Sequence, residues 1–377
     1  MRRLVYCFDG TWNDDTGENP LTNVVKLHRA VLPVDANGVE QLSRYIVGIA
    51  TSYTGQTQFI IGALGVEVGK RVMAAYRELM EDYQPGDEIY LFGFSRGAFE
   101  ARSLANFIAM FGVGRKDKGF SVEAAWALYR RHRSIQLRAT MRDLRATSHY
   151  PIRTKCVGVW DTVGNIGNPL LPHGALTRSL MYHDAHLPHT LEVGLQALSV
   201  DENRGPFSPT LWTLKKGADL APGQHIEQVW FAGSHADVGG GYEETALSDI
   251  GLLWMTERAT ATTGLAFDVD RLRRETRPDP LGVQHLSAQG RIFGWSKVLP
   301  FVRFIKQDTR PLSGLRRSLL GFWRTDKLAP DEMSLNESLH ESVVQRFGQR
   351  VTQMEGAKAR DAVYRPANVA AVLENAS

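Results

Sequence analysis

Short apolar runs recur along the chain, separated by segments with helical spacing. Residues 3–8 form the first run and lead into the polar stretch Asp9-Gly10-Thr11-Trp12-Asn13-Asp14. Residues 23–32 place Val24, Leu27 and Val31 on one helical face, with Asn23 as the candidate cap. Residues 44–50 read as a second strand, and a loop rich in glycine and threonine leads to a long helix over 62–83. Pro85-Gly86-Asp87 is a turn before a strand over 88–94. Two helices then run to about residue 134, and the basic stretch 133–153 reads as a solvated helix and loop. A strand over 155–160, a helix over 189–200, a strand over 227–232 and a helix over 249–262 continue the alternation. Strands that are apolar along their whole length bury both faces. The pattern predicts an α/β fold: a mostly parallel sheet with helices on both faces. Residues 1–265 are expected to form the core, and 266–377 a helical lid or subdomain completing the same domain.

Composition adds limits. With 377 residues, 43% of them hydrophobic, the chain can bury a sizeable core. A net charge of +3 lies far from that of a dedicated nucleic-acid binder, and leaves peripheral contact with an anionic membrane open. The two cysteines, Cys7 and Cys156, fall inside expected buried strands, so a disulfide framework is not expected. The first apolar run is too short for a signal peptide, and no run reaches the roughly 18 residues of a membrane span. A cytoplasmic protein is expected; export without a cleaved signal is compatible with the same features.

The chemistry concentrates at strand ends. Gly93-Phe94-Ser95-Arg96-Gly97 lies between the 88–94 strand and a helix-like segment over 98–110. In such a turn the serine sits on a strained backbone with its hydroxyl lifted clear of the sheet, and a side chain at either glycine would collide with a neighbour. In open α/β sheets ligands gather at the carboxyl ends of the strands. Those ends carry Asp9, Ser95, Asp161 and His235. Ser95, Asp161 and His235 follow the chain order of an α/β-hydrolase: nucleophile, orienting carboxylate, imidazole base. The N–H of Arg96 is the first oxyanion donor expected, and that of Gly10 or Thr11 the second.

Other readings compete. Asp161 could cap a turn, and His235 could be a structural histidine bonded to Asp237. The spacing of His183, His186 and His189, with His173 nearby, fits zinc, but no cysteine lies near and a polar loop is the simpler account. His340 is the rival base. Asp9-Gly10-Thr11 resembles the haloacid-dehalogenase loop, but Cys7 stands where that chemistry needs its nucleophilic aspartate. No metal and no cofactor are expected.

Four blocks together are distinctive: Phe8-Asp9-Gly10-Thr11-Trp12-Asn13; Gly93-Phe94-Ser95-Arg96-Gly97-Ala98; Gly158-Val159-Trp160-Asp161-Thr162-Val163-Gly164; and Trp230-Phe231-Ala232-Gly233-Ser234-His235-Ala236-Asp237-Val238-Gly239-Gly240-Gly241-Tyr242. The chain resembles the α/β-hydrolase family that includes the type VI secretion phospholipase effectors. The resemblance implies an α/β-hydrolase fold, a triad at Ser95, Asp161 and His235, and, from its secreted members, phospholipid acyl-ester cleavage. The expected activity is a serine esterase acting on lipid or phospholipid, with a catalytically idle ligand- or protein-binding scaffold as the alternative.

Residues 291–324 interleave Phe293, Trp295, Leu299, Phe301, Phe304, Leu319, Phe322 and Trp323 with Lys297, Arg303, Lys306, Arg310, Arg316, Arg317 and Arg324. Such a stretch suits a lid, a packed subdomain or an anionic lipid surface, with Arg303 and Lys306 among the expected surface cations.

Overall fold

Strands apolar on both sides demand cover on both sides, and the protein supplies it. The structure, a computed structural model, describes residues 1–10, 20–48, 61–130, 137–163, 187–204, 207–287, 302–305 and 331–374. Fourteen strands are described: β1 Arg3–Phe8, β2 Gln41–Ile46, β3 Glu88–Phe94, β4 Val113–Gly114, β5 Ser148–His149, β6 Thr154–Trp160, β7 Leu191–Ser199, β8 Thr213–Lys215, β9 His225–Phe231, β10 Gln284–His285, β11 Glu332–Ser334, β12 Glu337–Leu339, β13 Arg350–Glu355 and β14 Lys358–Val363. The helices are α1 Asn23–Ala30, α2 Ile61–Asp82, α3 Arg96–Phe111, α4 Val122–Arg130, α5 Leu137–Ala146, α6 His235–Gly239, α7 Ala246–Thr263, α8 Val269–Glu275, α9 Glu341–Arg346 and α10 Ala367–Glu374.

Seven strands form one sheet in the order β12-β9-β7-β6-β3-β1-β2. Every pair in it is parallel. Leu4, Tyr6, Ile89, Leu91, Val157 and Val159 join one core with residues of α2, α3 and α4. The alternate residues Val5, Cys7, Tyr90, Phe92 and Cys156 join a second core with residues of α1 and α7. This period of two is what a strand between two helical layers requires. A buried pair, Lys26 Nζ to Asp249 Oδ1 at 2.7 Å, ties α1 to α7.

The expected helix over 189–200 is instead strand β7, paired between β6 and β9. Leu191, Leu195 and Leu198 fit a helical stripe, but Val193, Leu195 and Ala197 fit a strand face equally well, and dense apolar runs satisfy both periods. The sheet decides it. Gly194 sits where a Cβ would lie 2.8 Å from Ile226 Cδ1 and 3.2 Å from the Trp212 ring. The second strand lies at Gln41–Ile46, earlier than the expected 44–50. It is the sheet's edge, so polar residues such as Ser43 and Arg44 serve there without breaking the pattern. Thr22 rather than Asn23 caps α1, accepting from Val25 N–H. Asn23 instead donates to Val238 O and Ser248 O.

The described C-terminal region is richer in strand than the helical subdomain expected from the sequence. It adds β12 to the central sheet and pairs β10, β13 and β14 in a small sheet of their own. Gly356, at φ 62, turns β13 into β14. A third core of Leu198, Trp230, Ile305, Val343, Tyr364 and Val369 joins this region to the sheet.

Asp201 sits beside that core and accepts from Gly233 N–H at 2.7 Å and Tyr364 O–H at 2.8 Å. Burial pushes its carboxyl up to about 6, against the opposing effect of those two bonds. A carboxyl raised on folding gives stability that is complete below its unfolded pKa and lost as pH rises through the folded value. The window is therefore about pH 4 to 6, and a two-unit shift is worth about 3 kcal/mol. Asp201→Asn is expected to flatten the loss of stability between pH 4 and 7 by about that amount, read from urea midpoints across the range.

Candidate active site

The β3–α3 turn is tight because two glycines allow it. A Cβ on Gly93 would lie 2.4 Å from Gly97 O, and one on Gly97 would lie 2.2 Å from Phe8 O. Between them Ser95 holds φ 58 and ψ −119, a left-handed conformation that costs a serine of order 1–3 kcal/mol. Its backbone is clasped by the last residue of β6 and the segment after it: Ser95 N–H donates to Trp160 O at 3.1 Å, and Val163 N–H donates to Ser95 O at 3.4 Å.

Asp161, at the end of β6, also has a positive φ, of 41°. It is fully buried. Its Oδ2 meets His235 Nδ1 at 2.6 Å, and its Oδ1 accepts from Ser199 N–H at 3.0 Å. His235 is the first residue of α6, three residues beyond the expected strand end, and Ser234 and Asp237 form a capping box there. Its ring packs between Phe94 and Phe207, with centroids 4.6 and 5.1 Å away. Phe94 directly precedes Ser95, so the imidazole lies against the serine turn. Among the described residues its buried Nε2 has no hydrogen-bond partner, so the bond to the Ser95 hydroxyl is not closed in this arrangement. Catalytic bonds are often open without substrate.

The residue the sequence reading misplaced is Arg303. Expected as a surface cation, it is fully buried. Its Nη1 lies 2.5 Å from Asp161 Oδ1 and its Nη2 lies 3.0 Å from Oδ2. The guanidinium also donates to Ser199 O at 2.8 Å and Phe207 O at 2.6 Å. Burial would raise the Asp161 carboxyl; the Arg303 charge and the His235 bond outweigh it and hold the group well below the usual carboxylate range. Nothing in the local sequence marks Arg303: a single arginine between Val302 and Phe304 fits any amphipathic surface. The other residues of 291–324, apart from 302–305, lie outside the described residues.

A shell of polar groups surrounds the pair. Glu202 accepts from His235 N–H at 3.3 Å and is paired with Arg204 at 2.8 Å. Asp237, considered as a partner for His235, bonds His285 Nδ1 at 2.7 Å instead.

The oxyanion donors fare differently. Arg96 opens α3, where first-turn N–H groups have no intrahelical acceptor. Gly10 N–H is engaged by the Asp9 carboxylate at 2.7 Å. Asp9 also accepts from Thr22 and Tyr45 hydroxyls at 2.7 Å each, and burial pushes it up to about 6 against those bonds. Thr11 lies outside the described residues, as do His173, His183 and His186, while His189 is exposed.

His340 caps α9, with its Nδ1 at 2.9 Å from Ser342 Oγ and its ring stacked on Phe231 at 4.6 Å. Burial pulls its pKa down. It has the contacts of a cap. His340→Ala is expected to cost about 1 kcal/mol of stability and leave turnover within a few-fold of wild type, as melting and steady-state kinetics would show.

A parallel sheet with a serine on a strand-to-helix turn, and an Asp–His pair from the carboxyl ends of β6 and β9, two strands apart, defines an α/β-hydrolase-like protein. The chain belongs to the family of type VI secretion (T6SS) phospholipase effector Tle1-like catalytic domains, whose model matches residues 2–258. It is 26% identical over 234 residues to an uncharacterized protein of Saccharomyces cerevisiae, covering 56% of this chain and 33% of that protein. Among solved structures, an uncharacterized protein from Pseudomonas aeruginosa is similar with a TM-score of 0.42 and 18% identity, over 70% of this chain and 46% of that one. The Tle1 effector bound to the VgrG spike of the type 6 secretion system is similar with a TM-score of 0.37 and 18% identity, over 65% of this chain and 52% of that one. The chain thus spans 33% of the yeast protein's length and 46% and 52% of the two solved chains.

Proposed function

We propose that the protein is a serine hydrolase of lipid acyl esters, phospholipids foremost. The observation that carries this reading is Ser95 held at φ 58 on the β3–α3 turn, beside a buried Asp161–His235 pair of 2.6 Å. Ser95 Oγ attacks the acyl carbonyl while His235 Nε2 takes its proton. The proton passes to the leaving alcohol, and water, activated the same way, releases the fatty acid from the acyl-enzyme. Asp161 fixes the imidazole tautomer and balances the imidazolium. Arg96 N–H stabilises the oxyanion; a second donor at Gly10 requires its N–H to leave the Asp9 carboxylate.

The family points to phospholipid, and the surroundings of Ser95 suit a phosphodiester. Arg71 pairs with Glu100, its Nη2 at 3.0 Å from Glu100 Oε2, and Arg96 feels the same carboxylate through its charge. Burial pulls the Arg96 guanidinium down to about 10, with Glu100 opposing and Arg71 adding to that effect. Asp9 also faces Arg71 and Glu67 acts on Glu100, so the cation offered to a phosphodiester is Arg96, the residue after the nucleophile.

The test is a fluorophosphonate probe together with fatty-acid release from phosphatidylglycerol and phosphatidylethanolamine vesicles. Wild type should label and release fatty acid. Absence of both in a folded protein would replace this reading with the idle scaffold. Labelling with hydrolysis confined to short soluble esters would keep the chemistry and remove the lipid.

A further inference from the structure

Arg303 is 142 residues from Asp161 in sequence and lies beyond the 2–258 region matched by the family. It nonetheless makes four hydrogen bonds around the Asp161–His235 pair, to both carboxylate oxygens and to the carbonyls of Ser199 and Phe207. The two carbonyls come from different segments: Ser199 ends β7, and Phe207, further along the chain, packs its ring on His235. A guanidinium is a rigid fork. Held at four points, it fixes the plane of the Asp161 carboxylate and hence the line from Oδ2 to His235 Nδ1.

The segment carrying Arg303 is itself anchored. Asn368, near the start of α10, donates to Arg303 O at 3.2 Å and to Val200 O at 3.1 Å. Ile305 is fully buried in the third core with Val343, Tyr364 and Val369. The C-terminal region thus delivers one cation to the hydrolytic pair.

We propose that Arg303 is a positioning residue of the hydrolytic site: it orients Asp161 and keeps it ionised, so that a segment outside the family's catalytic region completes the machinery. This rests on the serine-hydrolase reading above. Arg303 acts through Asp161 and touches no substrate. A buried carboxylate without a nearby cation takes up a proton at higher pH. The protonated, idle Asp161 then persists to higher pH. Among the described residues, the other charged groups facing the pair are Glu202 and Arg204, bonded to each other at 2.8 Å; Glu202 also feels the Arg303 charge, so loss of that charge raises it in the same direction as Asp161.

The experiment compares full-length wild type, Ser95→Ala, Arg303→Lys and Arg303→Met. It records kcat and KM for a p-nitrophenyl acyl ester from pH 5 to 9, fluorophosphonate labelling rates, and melting temperature. Lysine keeps the charge but loses the fork. Arg303→Lys is expected to lower kcat roughly 100-fold with KM within about 3-fold, the cost of a misaligned catalytic group. The acid limb of the rate profile should stay near that of wild type in Arg303→Lys, which keeps the cation, and move up by about one pH unit in Arg303→Met, which loses it. A folded Arg303→Lys with wild-type kcat, or a folded Arg303→Met with an unmoved acid limb, overturns the proposal. So does failure of both variants to fold, which makes Arg303 a folding residue. The serine-hydrolase reading fails separately, if wild type neither labels nor turns over, or if Ser95→Ala keeps its activity.

Discussion

Ser95→Ala should lose ester turnover by roughly 10⁴- to 10⁶-fold and take up no fluorophosphonate, while melting like wild type. The size follows from the mechanism: without the hydroxyl no acyl-enzyme forms, and only binding and the oxyanion site remain. His235→Ala should fall in the same range, because serine without its base is a weak nucleophile. The double variant should be little worse than either, since the two act as one unit. The backbone supplies a second readout. Ser95 sits at φ 58, and alanine inherits that strain whereas glycine does not. Ser95→Gly should therefore be as inactive as Ser95→Ala yet more stable by about 1 kcal/mol. Equal melting of the two would mean the turn is unstrained. Activity surviving in Ser95→Ala would remove Ser95 from the chemistry.

Asp161→Asn should lose about 10⁴-fold in kcat and, in contrast to the serine variants, a large part of the fold's stability. The amide can hold the imidazole only in the wrong tautomer, which accounts for the rate. The stability loss comes from Arg303. Both members of the ion pair are fully buried, and neutralising one leaves the other charge without compensation at a cost of about 3–5 kcal/mol. Asp161→Asn with Arg303→Met should then recover stability while activity stays lost. Urea unfolding of the three proteins separates the effects. A stable Asp161→Asn single variant would show that Arg303 is satisfied by the carbonyls of Ser199 and Phe207 alone.

Much of the sheet could be read from the chain because its strands are apolar on both faces and are punctuated by glycine. Arg3–Phe8 and Glu88–Phe94 have the expected bounds. The serine turn was legible for a related reason: Gly93 and Gly97 are required by contacts with nearby backbone, which leaves a spaced motif. Where the period was ambiguous, as over Leu191–Ser199, only pairing with β6 and β9 settled it. Asp161 and His235 were visible as polar residues following apolar runs. Arg303 was not, because its partner lies 142 residues away and an arginine among apolar neighbours looks the same on a membrane-facing surface as in a buried ion pair. The Gly10 donor was reasonable from position alone; the carboxylate of Asp9, one residue back, occupies it.

The order of strands across the central sheet bears on how the chain reaches its native state. After β1, β2 takes one edge and β3, β6, β7, β9 and β12 add to the other in the order in which a ribosome releases them. Each later arrival finds its partner edge already emerged, so the sheet can grow outward during synthesis without any strand being inserted between two others. The slow steps of a parallel sheet, long loops closed before any contact is gained, are then taken one at a time. Growth ends with the three residues of β12, Glu337–Leu339, laid on β9. Until they arrive, β9 is an open edge, the place where a half-made chain is most prone to pair with another of its kind.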